Sequence, residues 1–170
     1  ASSLFGSENI NESISLNHKH TDGNYPFRFG NKENEYHRTN SDYNMSSISS
    51  LTRYKNNSWV SCLRIILNSA DRGIPGPFID DMNLNDDSDS RLKDESAIVI
   101  LSNSYLLDNI TTFYLGLNTN INNYDYTDND FFATGFGGLN VNFTNPDFGA
   151  NAKLKTRIFY LLTNFCLEYS

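Results

Sequence analysis

The chain has 170 residues, of which 38% are hydrophobic and 14% aromatic. That composition excludes intrinsic disorder and predicts a single domain over residues 1–170. The net charge of -7 and the pI of about 4.8, without basic clusters, argue against partners such as nucleic acid or anionic membranes. Abundant Asn, Ser, Thr, Tyr and Phe, with little Ala or Glu, predict strands joined by turns.

All three histidines lie in the first quarter of the chain. The segment Ser13–His20 alternates like a strand, which places His18 and His20 on one face. His37 follows a turn-rich connection and can fold back beside them. Three imidazoles with an open fourth position are typical of Zn²⁺, so the sequence predicts a zinc site at these residues. The alternative is a set of exposed histidines without metal.

The next segments are predicted from their turn and strand signals. Tyr25–Phe29 contains Pro26 and predicts an edge strand, whereas the polar residues 40–50 predict a loop. Trp59–Leu67, apolar on both faces, is expected to be a central strand. The Gly- and Pro-rich residues 71–77 are expected to be irregular. Residues 80–95 are expected to form an acidic loop, and its carboxylates do not have the spacing of a calcium-binding loop.

The chain contains two cysteines, and each lies in an apolar run typical of a strand. Cys62 and Cys166 are separated by most of the domain. An even cysteine count in a secreted β-domain favours a disulfide. Two buried free thiols are the alternative interpretation.

The second half of the chain predicts short strands separated by loops. The expected fold is therefore all-β, an antiparallel sandwich. Expected strands are 97–101, 110–117, 139–143 and 154–169, and expected loops are 118–130 and 144–151.

One of these predicted loops has the composition of a sugar-binding site. Planar amides and carboxylates pair with hydroxyl groups, and aromatic faces cover C–H surfaces. The candidate ligand-binding residues are Asn122, Asn123, Tyr124, Asp125 and Tyr126. The alternative is a solvated loop of turn-forming residues.

No known catalytic motif occurs: there is no nucleophile elbow, phosphate-binding loop or dinucleotide fingerprint. The protein is therefore expected not to be an enzyme. Continuous apolar runs are too short for a helix to cross a bilayer, so no membrane insertion is expected. A first residue other than Met predicts a processed, secreted protein.

The His-x-His pair at His18 and His20, two cysteines and an Asn-rich β-composition resemble the receptor-binding domains of bacterial chaperone–usher fimbrial tip adhesins. A zinc-binding member of that family holds the metal through three histidines and needs it for adhesion. The resemblance implies that His18 and His20 are the paired ligands and His37 the third. It implies a secreted domain at a bacterial fimbrium, binding a host or surface receptor that is a glycan or an acidic ligand. A pilus subunit or periplasmic chaperone would be a further partner.

Two other functions stay open. The final apolar segment alternates and has an aromatic residue, Tyr169, next to its end, as structural pilus subunits do. A secreted zinc- or carboxylate-dependent hydrolase is the third possibility, because carboxylates are plentiful.

Overall fold

The computed structural model describes residues 1–28, 36–75, 89–128, 138–158 and 161–169. Side chains are described throughout those ranges except at residues 36, 157, 158 and 161–169. The described residues form strands and turns without a helix, which confirms the all-β prediction. Among the described residues, no helix is long and apolar enough to cross a membrane.

Eight strands form one antiparallel sheet in the order β1-β2-β5-β6-β7-β8-β9-β10. The two short strands β3 and β4 pair separately, between β2 and β5 in the chain. The strands are β1 (Ser2–Gly6), β2 (Ile10–Thr21), β3 (Pro26–Phe27), β4 (Tyr36–His37), β5 (Tyr43–Lys55), β6 (Trp59–Gly73), β7 (Arg91–Leu106), β8 (Thr111–Asp128), β9 (Leu139–Ile158) and β10 (Leu161–Tyr169).

The sequence signals located several strands correctly but underestimated their length. The predicted strand Ser13–His20 lies in β2, and Trp59–Leu67 lies in the interior strand β6, which continues to Gly73. β7 likewise extends well beyond the predicted residues 97–101 in both directions. Polar residues continue these strands because neighbouring strands on both sides satisfy their backbone hydrogen bonds.

Three predicted loops are strands, residues 91–95 of the predicted acidic loop belong to β7, and one predicted strand is divided in two. Residues 43–50 belong to β5, residues 118–128 to β8, and residues 144–151 to β9. Their Asn, Ser and Asp content predicted loops, but cross-strand pairing overrides that local preference. The predicted terminal strand 154–169 is divided between β9 and β10, which pair antiparallel. Residues 129 and 130 lie outside the described residues.

The layering differs from a sandwich. The described residues form one large sheet with no second large sheet packed against it, and no hydrophobic residue among them is buried. Large apolar side chains remain open to solvent, including Leu67 at 45% and Phe148 at 62% exposure. The alternating pattern correctly predicted strands with two unlike faces, but it did not reveal what lies against the apolar one.

The predicted disulfide is not formed. Cys62 is a free cysteine on β6, and Cys166 lies on β10, four strands away in the sheet. Four strand spacings amount to about 19 Å, whereas a disulfide joins Cα atoms roughly 4.4–6.8 Å apart. Three strands, β7, β8 and β9, lie between them in the sheet, whereas the two halves of a sandwich would have brought them together.

The register divides the sheet into two faces. The front face is defined here as the one that carries His18, Leu67 and Asp125, and the back face is the opposite one. Near one end of the strands, two rows of polar front-face residues cross the sheet from β2 to β9. These polar rows are His20-Asn44-Asp71-Lys93-Asp125-Asn142 and His18-Ser46-Ser69-Glu95-Asn123-Thr144.

The front face becomes apolar directly beyond the polar rows. The next row is entirely apolar, and four further rows are mostly apolar; together these five rows are called the apolar band. The first row is Leu16-Ile48-Leu67-Ala97-Ile121-Pro146. The last row contains Trp59, Tyr105, Phe113 and Leu154.

Turns beyond the polar rows are fixed by residues with left-handed backbone. Gly23, at φ 64°, closes the predicted turn after β2, and the Ser41 hydroxyl donates to its carbonyl. Asn40, at φ 48°, donates from its side-chain amide to the carbonyls of Ile74 (3.0 Å) and Ser90 (2.8 Å). These bonds connect the end of β6 to the start of β7, beside the polar rows.

Candidate functional site

A shallow cleft of about 180 Å³ lies in the polar rows where β7, β8 and β9 meet. Here it is called the polar cleft, and six residues line it: Lys93, Glu95, Asn123, Asp125, Asn142 and Thr144. All six belong to the front face, since Lys93, Asp125 and Asn142 are register partners, as are Glu95, Asn123 and Thr144. Three strands therefore place two rows of three polar side chains side by side.

The charged groups of the polar cleft are arranged around Lys93. Its ammonium donates to the Glu95 carboxylate at 2.8 Å. That hydrogen bond, together with the charges of Glu95, Asp125 and Asp71, raises the pKa of Lys93. The lysine is therefore a fully charged donor at neutral pH, placed among acceptors.

Asp125 supplies a shielded acceptor beside the polar cleft. Its Oδ1 atom is shielded from solvent and has no hydrogen-bond partner among the described residues. A shielded acceptor without a partner is destabilising unless a ligand or water donates to it. Asn123 is likewise half-buried, whereas Asn142 and Thr144 are exposed at the open side.

The five residues predicted to bind a sugar are divided between the two faces. Asn123 and Asp125 line the polar cleft, whereas Asn122, Tyr124 and Tyr126 occupy the back face. Tyr124 stacks on Phe143 with ring centroids 6.5 Å apart, and the Tyr126 hydroxyl donates to Asp128 at 3.2 Å. The structure thus brings together two of the five residues.

Sequence reasoning missed four residues of the polar cleft. Lys93 and Glu95 were assigned to an acidic loop, and Asn142 and Thr144 were not selected. For Asn142 and Thr144, alternation with Val141 and Phe143 was the available signal for a strand, whereas Lys93 and Glu95 have the polar neighbours Asp94 and Ser96 and gave no such signal. Only the register reveals that they share a row with Asn123 and Asp125.

The three predicted zinc ligands occupy two different sheets. His18 and His20 are exposed on the front face of β2, and His18 Nδ1 lies 3.1 Å from the Ser46 hydroxyl. His37 lies on β4, where its Nδ1 is 3.0 Å from the Asn24 side-chain oxygen. Within the described ranges, no three His, Cys, Asp or Glu side chains form a group that could hold a metal.

The zinc site stays a prediction, and elemental analysis tests it. A three-histidine site should give about one zinc per chain in the purified protein, and the His18→Ala variant should lose it. His37→Ala should also lose it, because the predicted site needs a third imidazole. Equal metal content in all three proteins contradicts the prediction.

A cluster of ion pairs borders the polar rows. Arg91 pairs with Asp42 at 2.9 Å and with Asp71 at 2.8 Å. The hydrogen bond from Arg91, more than any other interaction, holds the pKa of Asp42 below its ordinary value of 3.8, and the charge of His20 acts in the same direction. Hydrogen bonds to Asp42 and then to Asp71 raise the pKa of Arg91. The cluster connects the segment before β5 to β6 and β7.

The lowered pKa of Asp42 predicts a pH-dependent stability. Because the carboxyl is more acidic in the folded chain, its contribution is complete above its ordinary pKa and disappears as pH falls through its folded pKa. Asp42→Asn should cost about 0.5–1 kcal/mol at pH 7, a modest value because the pair is partly exposed. Urea unfolding at pH 7 and pH 2 measures it.

The pH comparison has a matched control. Asp147→Asn removes the same charge from the back face, outside the ion-pair cluster. We expect the stability deficit of Asp42→Asn to shrink towards zero at pH 2. A deficit that is unchanged at pH 2, or equal in the two variants, contradicts the role assigned to Asp42.

A comparison with protein-family models and with curated proteins found no match for this chain. The proposals that follow therefore depend on the residues and their geometry.

Proposed function

We propose that the protein is a receptor-binding adhesion module of a bacterial surface that binds a glycan in the polar cleft. The observation that carries the proposal is the shielded, unpartnered Oδ1 of Asp125 beside Asn123, Asn142 and Lys93. Carboxylate and amide groups at neighbouring positions accept from and donate to vicinal hydroxyls.

The mixed charge of the polar cleft favours a neutral, hydroxyl-rich ligand. Lys93 is already paired with Glu95, and Asp125 adds a further negative charge. A phosphate or carboxylate ligand would meet two carboxylates, which repel it. Hydroxyl groups can both donate to the carboxylates and accept from the amides and the ammonium.

In this function the protein binds the glycan without cleaving it. The resemblance to fimbrial tip adhesins supports a secreted, surface-displayed module with a host or surface glycan as its receptor. A structural pilus subunit remains the alternative, and its distinguishing property is addition of a donor strand to an open sheet edge. A pilus subunit would need that strand or a chaperone in order to remain monomeric, whereas an adhesion module should bind its receptor alone.

A glycan array with purified protein tests the proposal. Wild-type protein should bind a defined group of glycans, and Asn123→Ala should reduce that binding at least about tenfold, as expected for a lost buried hydrogen bond with a polar ligand. Asn122→Ala is the matched control, because the neighbouring amide of the same strand lies on the back face.

Two results would contradict this function. Equal loss of binding in the Asn122 and Asn123 variants would show that the polar cleft is not the binding site. Release of smaller saccharides from bound glycans, abolished in Glu95→Gln, would instead indicate a carboxylate-dependent hydrolase.

A further inference from the structure

The apolar band is a continuous stripe whose height along the strands is limited. Along β6 it runs from Leu67 to Trp59, and along β8 from Ile121 to Phe113, with the same ends in register on β7. The height of the stripe along each strand is about 27 Å at roughly 3.4 Å per residue. Across the strands, in contrast, it continues without interruption from β5 to β9.

The composition of the apolar band differs between β2, where its third row carries Glu12, and the five strands that follow in the sheet. On β5 to β9, its five rows contain no charged side chain. The first charged front-face residues on these strands are Asp71, Lys93, Glu95 and Asp125, and all four lie in the polar rows. The change from polar to apolar therefore occurs at one level on each strand from β5 to β9.

The far border of the apolar band is aromatic. Trp59 and Tyr105 are direct register partners there, and Phe113 continues the row. Tyr54 packs edge-to-face against Trp59 with ring centroids 6.2 Å apart. Such amphipathic rings are favoured where an apolar phase meets water, because the ring body is buried while its polar atom stays hydrated.

We propose that the apolar band lies against the hydrocarbon of a lipid layer, with the strands running along the layer normal. The height of this stripe along the strands is close to the hydrocarbon thickness, as contact with a lamella requires. Across the sheet, the charged Glu12 of β2 lies in the third row of the band and marks its limit on that side. The polar rows and the Trp59 border then occupy the two interfaces.

The opposite face is suited to a different environment. At the level of the apolar band, the back face carries polar groups on every strand from β5 to β9, among them Ser49, Arg64, Ser102, Asn118 and Asn151. Only the front face therefore contacts lipid. The sequence-based expectation of no membrane insertion was derived from the length of continuous apolar runs. A strand that alternates between polar and apolar residues contains no such run, even when one of its faces is fully apolar.

Fluorescence of Trp59 tests the lipid contact in the wild-type chain, because it is the single tryptophan. The protein is reconstituted with phosphatidylcholine vesicles that carry bromine either near the headgroup end or near the terminal end of the acyl chains. We expect strong quenching, and stronger quenching by the shallow bromines. Absence of quenching by both lipids, or a soluble dimer that shields Trp59 without lipid, overturns the proposal.

Two neighbouring isoleucines provide a matched pair of variants. Ile65 lies in the second row of the apolar band, and Ile66 lies on the back face of the same strand. Ile65→Lys should lower the partition of the protein into vesicles at least tenfold, because a charge facing lipid is strongly disfavoured. Ile66→Lys should change it less than threefold. An equal effect of the two variants overturns the assignment of the front face to lipid.

Discussion

Replacing Asp125 with Asn should weaken glycan binding by about tenfold to a hundredfold. The substitution keeps the shape of the side chain but removes a charged acceptor, and hydrogen bonds to charged groups contribute roughly 1.5–3 kcal/mol. The effect should be large because Asp125 Oδ1 is shielded and has no partner among the described residues. Isothermal titration with the strongest glycan from the array measures the dissociation constant.

The control for Asp125→Asn is Asp147→Asn, which makes the same change of charge on the back face of β9. Its dissociation constant should stay within about twofold of the wild-type value, since the long-range effect of one exposed charge is largely screened by salt. Matching losses in the two variants would indicate a general charge effect and would contradict a specific role for Asp125.

Gly23→Ala should have the largest effect on stability, about 2–4 kcal/mol. Gly23 has φ 64°, a conformation that costs an L-residue about 1–2 kcal/mol. A Cβ atom there would also collide with the backbone carbonyl of Ser41, which cannot move without displacing the segment before β5. Urea unfolding followed by circular dichroism measures the loss.

Gly116→Ala is the matched control for this substitution. Gly116 lies within β8, and a Cβ atom would meet only the side chain of Asn151, 2.6–3.0 Å away. Because that amide can rotate, the cost should remain below about 1 kcal/mol. If both variants lose the same stability, backbone conformation at Gly23 is not the cause.

The alternating pattern was sufficient to predict the fold class and the faces of individual strands. β2 is the clearest case: its alternation placed His18 and His20 on one face, where the structure has them. The lengths of β8 and β9 were not predictable in this way. Their Asn- and Thr-rich ends have turn propensity, and only the pairing of each strand with its neighbours makes them part of the sheet.

The candidate site was partly predictable for the same reason. Asn123 and Asp125 were selected by composition, which identifies groups that suit hydroxyl ligands. Composition cannot separate them from Asn122 and Tyr124, which face the other side of the same strand. Nor can it select Lys93, which becomes a neighbour of Asp125 only through the β7–β8 register.

The two proposals assign different parts of the front face to different partners. The polar rows end where the apolar band begins, so lipid contact by the apolar band leaves the polar cleft at the aqueous side of the interface. A glycan could then reach the exposed cleft residues Lys93, Glu95, Asn142 and Thr144 from solution. Each proposal can fail without the other, because the variants that test them lie in separate rows.

The most direct test of the central claim is to map the bound glycan by photo-crosslinking. A glycan selected from the array is given a diazirine group, irradiated with the wild-type protein, and the attachment sites are identified by mass spectrometry. We expect attachment to residues of the polar cleft, above all Lys93, Asn123 and Asn142. Attachment to Tyr124 or Tyr126 on the back face, or to no defined site, would contradict the account.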